Sequence, residues 1–83
     1  MKILYFAWLR ERLNRGEEDV SPPAEVRTVA ELIDWLAERD EAFALAAEKR
    51  SLIKAAVDAR LVRHDASVVD AQTVALFPPM TGG

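Results

Sequence analysis

Hydrophobic and polar positions change period several times along this chain, and each change marks an element. Residues 2–8 are rich in β-branched and aromatic side chains and predict a strand. Leu9 and Leu13, four apart, predict one or two helical turns, with Asn14 and Gly16 as the stop. Glu17 to Ser21 reads as a short second strand with Val20 turned inward, ended by Pro22-Pro23 because proline cannot donate to a ladder. Thr28-Val29-Ala30-Glu31 has the capping-box pattern. Val29, Leu32, Ile33 and Leu36 follow as one apolar stripe with Trp35 beside it, which predicts a helix fading near Arg39-Asp40. The Ala-rich stretch Glu41 to Glu48 reads as a short helix or turn, with Phe43 and Leu45 as candidate core residues.

Strand periodicity then returns. Ile53, Ala55 and Val57 alternate with Lys54, Ala56 and Asp58. Asp58-Ala59 can turn the chain into a hairpin partner at Leu61-Val62. Asp70-Ala71-Gln72 leads into a last strand, Thr73 to Phe77, which Pro78-Pro79 stops. The expected fold class is α+β, a sheet of four to five strands with one main helix on one face. Its strand order cannot be read from periodicity. If Ile3, Tyr5, Val62, Val74 and Leu76 face the helix, then Leu4, Phe6, Leu61 and Phe77 face the other way. A sheet covered on one side should be polar on its open face. Large apolar residues there suggest a partner surface.

Composition narrows the classes. Eighty-three residues predict a single domain, 1–83, with a thin core. No cysteine is present, which excludes disulfides, thiolate metal sites and Cys nucleophiles. The net charge of −3, with acids and bases interspersed, argues against nucleic acid as a partner. No apolar run approaches the roughly 20 residues of a membrane span, and the apolar start is too short for a signal peptide. A cytoplasmic location is expected.

Side-chain chemistry is sparse. His64, the sole histidine, adjoins Asp65, but no nucleophile or second ligand accompanies it, so a solvated strand-end residue is the reading. Glu17-Glu18-Asp19 could hold a hard cation, but consecutive acids point in different directions and a solvated loop is the simpler reading. Arg10, Arg12 and Arg15 likewise read as a solvated helix face. The feature that asks for a function is the end of the sequence. Gly82-Gly83 is useless to a core and lets a carboxylate enter a channel too narrow for other residues. Pro78-Pro79 stiffens the neck. Five extended residues, Pro79 to Gly83, reach roughly 16 Å. Residues 78–83 are expected to form a mobile tail, with Gly82 and Gly83 as the reactive end.

At Phe77-Pro78-Pro79-Met80-Thr81-Gly82-Gly83 the chain resembles the small subunits of molybdopterin synthase, sulfur carriers with a ubiquitin-like β-grasp fold. The resemblance extends over Lys2-Ile3-Leu4-Tyr5-Phe6-Ala7, Leu9-Arg10-Glu11, Thr28-Val29 and Ala55-Ala56-Val57. It departs at Asp58, where that family often has Asn, and at Asp70 to Thr73, often an acidic Gly-containing turn. The resemblance implies a carrier that is no enzyme on its own and binds no cofactor. An E1-like adenylating enzyme would use ATP to activate the Gly83 carboxylate. A sulfur donor would convert it to a thiocarboxylate, a C-terminal 1-thioglycine. The large synthase subunit would then receive the tail in a heterotetramer and pass sulfur to cyclic pyranopterin monophosphate. The family's partner surface falls on Phe6, Leu61 and Phe77, with Pro78, Pro79, Met80 and Thr81 in the inserted segment.

Three other readings remain. A thiazole-synthesis sulfur carrier also ends in Gly-Gly, but Pro78-Pro79-Met80-Thr81 argues against it. A ubiquitin-like modifier would use the same adenylate to join Gly83 to lysines. An interaction module would carry an inert tail.

Overall fold

The computed structural model describes residues 1–79, so the expectations for Met80, Thr81, Gly82 and Gly83 fall outside the described residues. The chain forms β1 (Lys2–Tyr5), α1 (Ala7–Leu13), β2 (Glu17–Asp19), α2 (Val29–Arg39) and α3 (Glu41–Ala46). After a 3-10 turn at Arg50–Leu52 come β3 (Lys54–Val57), β4 (Arg60–Val62) and β5 (Thr73–Phe77). The strands make one mixed sheet in the order β2-β1-β5-β3-β4. Only the central pair, β1 and β5, is parallel, and the other pairs are antiparallel.

Alternation decides which face is covered. Ile3, Tyr5, Ala55, Val74 and Leu76 point inward and join the α2 stripe Val29, Leu32, Ile33 and Leu36 in one buried cluster. Phe43 of α3 closes that cluster, its ring centroid 6.1 Å from that of Tyr5. The inward and outward phases agree with the alternation of the sequence, although Val62, on edge strand β4, is only half-buried.

Helix α2 begins with every early amide satisfied. Val29 and Ala30 donate to the carbonyls of Ala66 and His64, and Leu32 donates to that of Thr28. Glu31 N–H donates to Thr28 Oγ1 at 3.2 Å, and Glu31 Oε1 accepts from Thr28 N–H at 3.0 Å. This is the reciprocal capping box. Asp40 ends α2 and caps α3, accepting from the amides of Ala42 and Phe43.

Several expectations need correction. The first strand stops at Tyr5, because Ala7 takes φ 54° and reverses the chain. Tyr-Phe-Ala-Trp favours a strand locally, but Leu9 and Leu13 reach the core only if a helix starts at Ala7. Trp8 therefore lies on α1. The second strand ends at Asp19, although Val20 is buried as expected. Leu45 is not core: it is 66% exposed. Within so short a helix only positions three or four apart share a face, and Phe43, Ala46 and Ala47 fill the inward one. The 3-10 turn had no sequence signal.

Two turns fall where the chain departs from the pattern it resembles. Asp58 and Ala59 both have positive φ, 47° and 71°, as a two-residue hairpin with matching twist requires. Asp58 Oδ1 also accepts from the amides of Gln72 and Thr73, both at 3.0 Å, which ties the hairpin to the start of β5. Asp70, at φ 62°, takes the conformation that glycine adopts at less cost.

Candidate partner face and neck

The face of the sheet away from α2 carries the predicted partner residues. Registers place Leu4 beside Ala75, Ala75 beside Ala56, and Ala56 beside Leu61, an apolar row across four strands. Leu61 is 74% exposed and Phe6 47%. Phe77, one step along β5 toward the neck, is half-buried and registers with Lys54. Phe6, Leu61 and Phe77 thus share the outer face, none of them beneath α2. Ala56 and Ala75 were missed in the sequence because small residues carry no interface signal until register sets them between large ones.

Phe77 is the last residue of β5, so the neck leaves from the central strand of the sheet. Pro78 and Pro79 form one wall of a hollow of about 650 Å³. Trp8, Leu45 and Leu52 form much of the rest, and Arg12 and Lys49 stand on its rim. A second hollow, of about 620 Å³, is lined by Phe77. Its floor includes Leu61 and Val62, and Lys54, Arg63 and His64 surround it. In the sequence Trp8 reads as the end of the first strand and Leu45 as core, while Leu52 carries no signal. Their meeting depends on where α1, α3 and the 3-10 turn converge.

The remaining candidates have structural roles. His64 Nε2 lies 2.6 Å from the Ile53 carbonyl. A carbonyl only accepts, so Nε2 carries the proton and is not free to act as a base. His64 is also half-buried rather than solvated. Glu17-Glu18-Asp19 is an edge strand, not a loop. Glu17 pairs with Lys2 at 3.4 Å, while Glu18 turns to the helix side. Among the described residues no group of acids and histidines could hold a metal ion.

Glu18 and Arg15 anchor a polar network below the edge of the sheet. Glu18 Oε1 accepts from the Tyr5 hydroxyl at 2.7 Å and from Arg39 Nη1 at 3.1 Å. Arg15 Nε stands 3.3 Å from Glu18 Oε2 as a charge contact rather than an aligned hydrogen bond, and Arg15 Nη2 donates to Asp40. Burial, and then the Glu18 carboxylate, hold the Tyr5 phenol well above its ordinary pKa. Arg15 is therefore a strut, not a solvated face. Arg12 instead lies over the Trp8 ring, 5.2 Å from its centroid.

A mixed five-stranded sheet with a central parallel pair and one long helix across it is a ubiquitin-like β-grasp fold. The chain belongs to the ThiS family, whose model matches residues 3–83. Over all of its length it is 39% identical to the molybdopterin synthase sulfur carrier subunit of Escherichia coli K12, covering 99% of that protein. It is 30% identical to the subunit of the same name from Haemophilus influenzae, again over 100% of this chain and 99% of the relative. A Pyrococcus furiosus structure assigned as molybdopterin converting factor subunit 1 superimposes with TM-score 0.73 at 27% identity, covering 95% of each chain. The Haloferax volcanii protein SAMP1 shares the fold, with TM-score 0.72 at 22% identity over 99% of this chain and 97% of that one. Among the described residues no helix is long and apolar enough to cross a membrane.

Proposed function

We propose that this chain is the sulfur-carrying small subunit of a molybdopterin synthase, acting in the cytoplasm. The observation that carries the reading is full-length similarity to two sulfur carrier subunits of that synthase. An apolar outer face that leads directly to the neck supports it.

The chemistry follows from what a carboxylate lacks. Its oxygen is a poor leaving group, so an E1-like enzyme first joins it to the α-phosphate of ATP and releases pyrophosphate. Hydrosulfide delivered by a sulfur donor then attacks the acyl carbon and AMP departs, leaving a thiocarboxylate on Gly83. Gly82 and Gly83 carry no side chain to obstruct the enclosing channel. In the large subunit the thiocarboxylate sulfur attacks a carbon of cyclic pyranopterin monophosphate and displaces an oxygen substituent. Water then cleaves the resulting thioester, leaving the sulfur on the pterin and returning the carrier as a carboxylate. The side chains that orient the pterin belong to the large subunit, since orientation is a large share of catalysis. Phe6, Leu61 and Phe77 hold that subunit while Pro78 to Thr81 thread its channel.

Intact-mass measurement after incubation with ATP, an activating enzyme and a sulfur source tests the reading. The expected product is heavier by one oxygen-to-sulfur exchange at the C-terminal residue. Conjugation to lysines of other proteins, with no thiocarboxylate, would make it a modifier instead.

A further inference from the structure

The two hollows beside the neck share an uncommon charge pattern. Arg12 and Lys49 rim the first, and Lys54 and Arg63 rim the second. Glu48 is the one carboxylate lining either hollow among the described residues. The chain as a whole carries a net charge of −3, so this local excess of cations runs against its composition.

Pairing sharpens the contrast. Lys2, Arg15, Arg39 and Arg50 are each held by a carboxylate. Among the described residues none of the four cations at the hollows is so held, nor are Arg10, Arg27 and Arg60, and all four at the hollows are exposed. The linings beside them are apolar and open: Leu45 and Leu52 in one, Leu61 in the other, are exposed large side chains. Apolar surface flanked by polar and charged side chains is the anatomy of a protein interface. The segment 49–54 runs between the hollows, with Phe77 lining one and Pro78-Pro79 the other. The cations therefore form a collar around the base of the neck.

We infer that Arg12, Lys49, Lys54 and Arg63 dock against an acidic rim around the tail-accepting channel of the large subunit. The inference rests on the functional reading above, because Phe77 makes the collar continuous with the outer face assigned to that partner. Exposed charges of this kind act mainly on encounter. They raise the association rate and fix orientation, while the apolar contacts set how long the complex lasts. The tail is thin and must enter end-on, so prior alignment by the collar shortens the search for the channel.

The test is stopped-flow association of the whole chain with the large subunit of the same organism, at ionic strengths from about 0.02 to 0.5 M. Two double variants are used, Arg12→Glu with Lys49→Glu and Lys54→Glu with Arg63→Glu. The control, Arg27→Glu with Arg60→Glu, makes the same charge change at cations that line neither hollow. Each collar pair should slow association about tenfold or more at low salt, with little change in dissociation rate or melting temperature. The deficit should shrink as salt rises, and the control should change the rate far less. Equal slowing by the control, or an unchanged rate in the collar pairs, overturns the inference while leaving the function intact. So does charge-dependent binding of inorganic phosphate or ATP, or of the activating enzyme alone, with large-subunit association unaffected. If the wild-type chain does not associate with the large subunit at all, the functional reading fails and the collar inference falls with it.

Discussion

Phe77 is the strand residue to which the proposed function assigns a partner contact. It closes β5 on the outer face, half-buried, with Lys54 beside it and the neck directly after it. Truncation to Ala should weaken binding to the large subunit by about 2 kcal/mol or more, as loss of a central aromatic anchor does. Titration calorimetry reads that loss. The same change should cost less in folding than the about 3–5 kcal/mol of a core Phe truncation. Ala59 makes the opposite case. Its φ of 71° is strained for a residue with a Cβ. Ala59→Gly should relieve that strain and raise stability by roughly 0.5–1 kcal/mol after glycine's entropic cost. Urea unfolding measures it, and a loss of stability would show the turn is not strained. The phase of Phe77 was legible in the sequence because alternation alone sets it. Leu45 was misread because hydrophobicity does not say which side of a short helix is covered.

The elements were legible in proportion to how local their causes are. Thr28 and Glu31 cap α2 with atoms three residues apart, so the start of that helix could be read directly. The end of β1 could not, because its cause is the demand of Leu9 and Leu13 for the core. Asp40 lies between these extremes. It caps α3 locally, yet it also receives a hydrogen bond from Arg15, 25 positions away in sequence. That bond, followed by the amides of Ala42 and Phe43, holds its carboxyl below the usual range against an opposing cost of desolvation. Below the unfolded aspartate value, about 4, the unfolded chain takes up the proton more readily than the folded one. The stabilisation is thus complete above about pH 5 and is lost as pH falls through the lowered native value. Asp40→Asn should melt lower at neutral pH and show a shallower decline of melting temperature in acid. A decline as steep as that of the wild type would assign the acid sensitivity elsewhere.

For the whole molecule, the class of fold followed from the count and phase of its strands, whereas strand order did not. Nothing in the periodicity says that the first and last strands are neighbours, because that pairing is made across the length of the chain. The candidate site was legible to a similar extent. The outer face and the glycine tail could be seen as sequence, but the collar joins residues from α1, the segment after α3, β3 and the end of β4. The function proposed for the tail predicts a sharp dependence on its last residue. Removing Gly83, or adding one residue after it, should abolish sulfur transfer, while thermal unfolding stays nearly unchanged. Full transfer by either variant would place the reactive group elsewhere.

The central position of β5 also governs how the molecule bears load. A partner that grips the tail pulls on the neck, and the neck is the direct continuation of β5. That strand is held on both sides, by β1 and by β3. A pull along its axis loads both rows of hydrogen bonds in shear, so many bonds share the force at once. At an edge strand peeled from its neighbour, the bonds would break in succession under the full force. The domain can thus be tugged free of a tight channel by its own tether without unravelling from the end that is held.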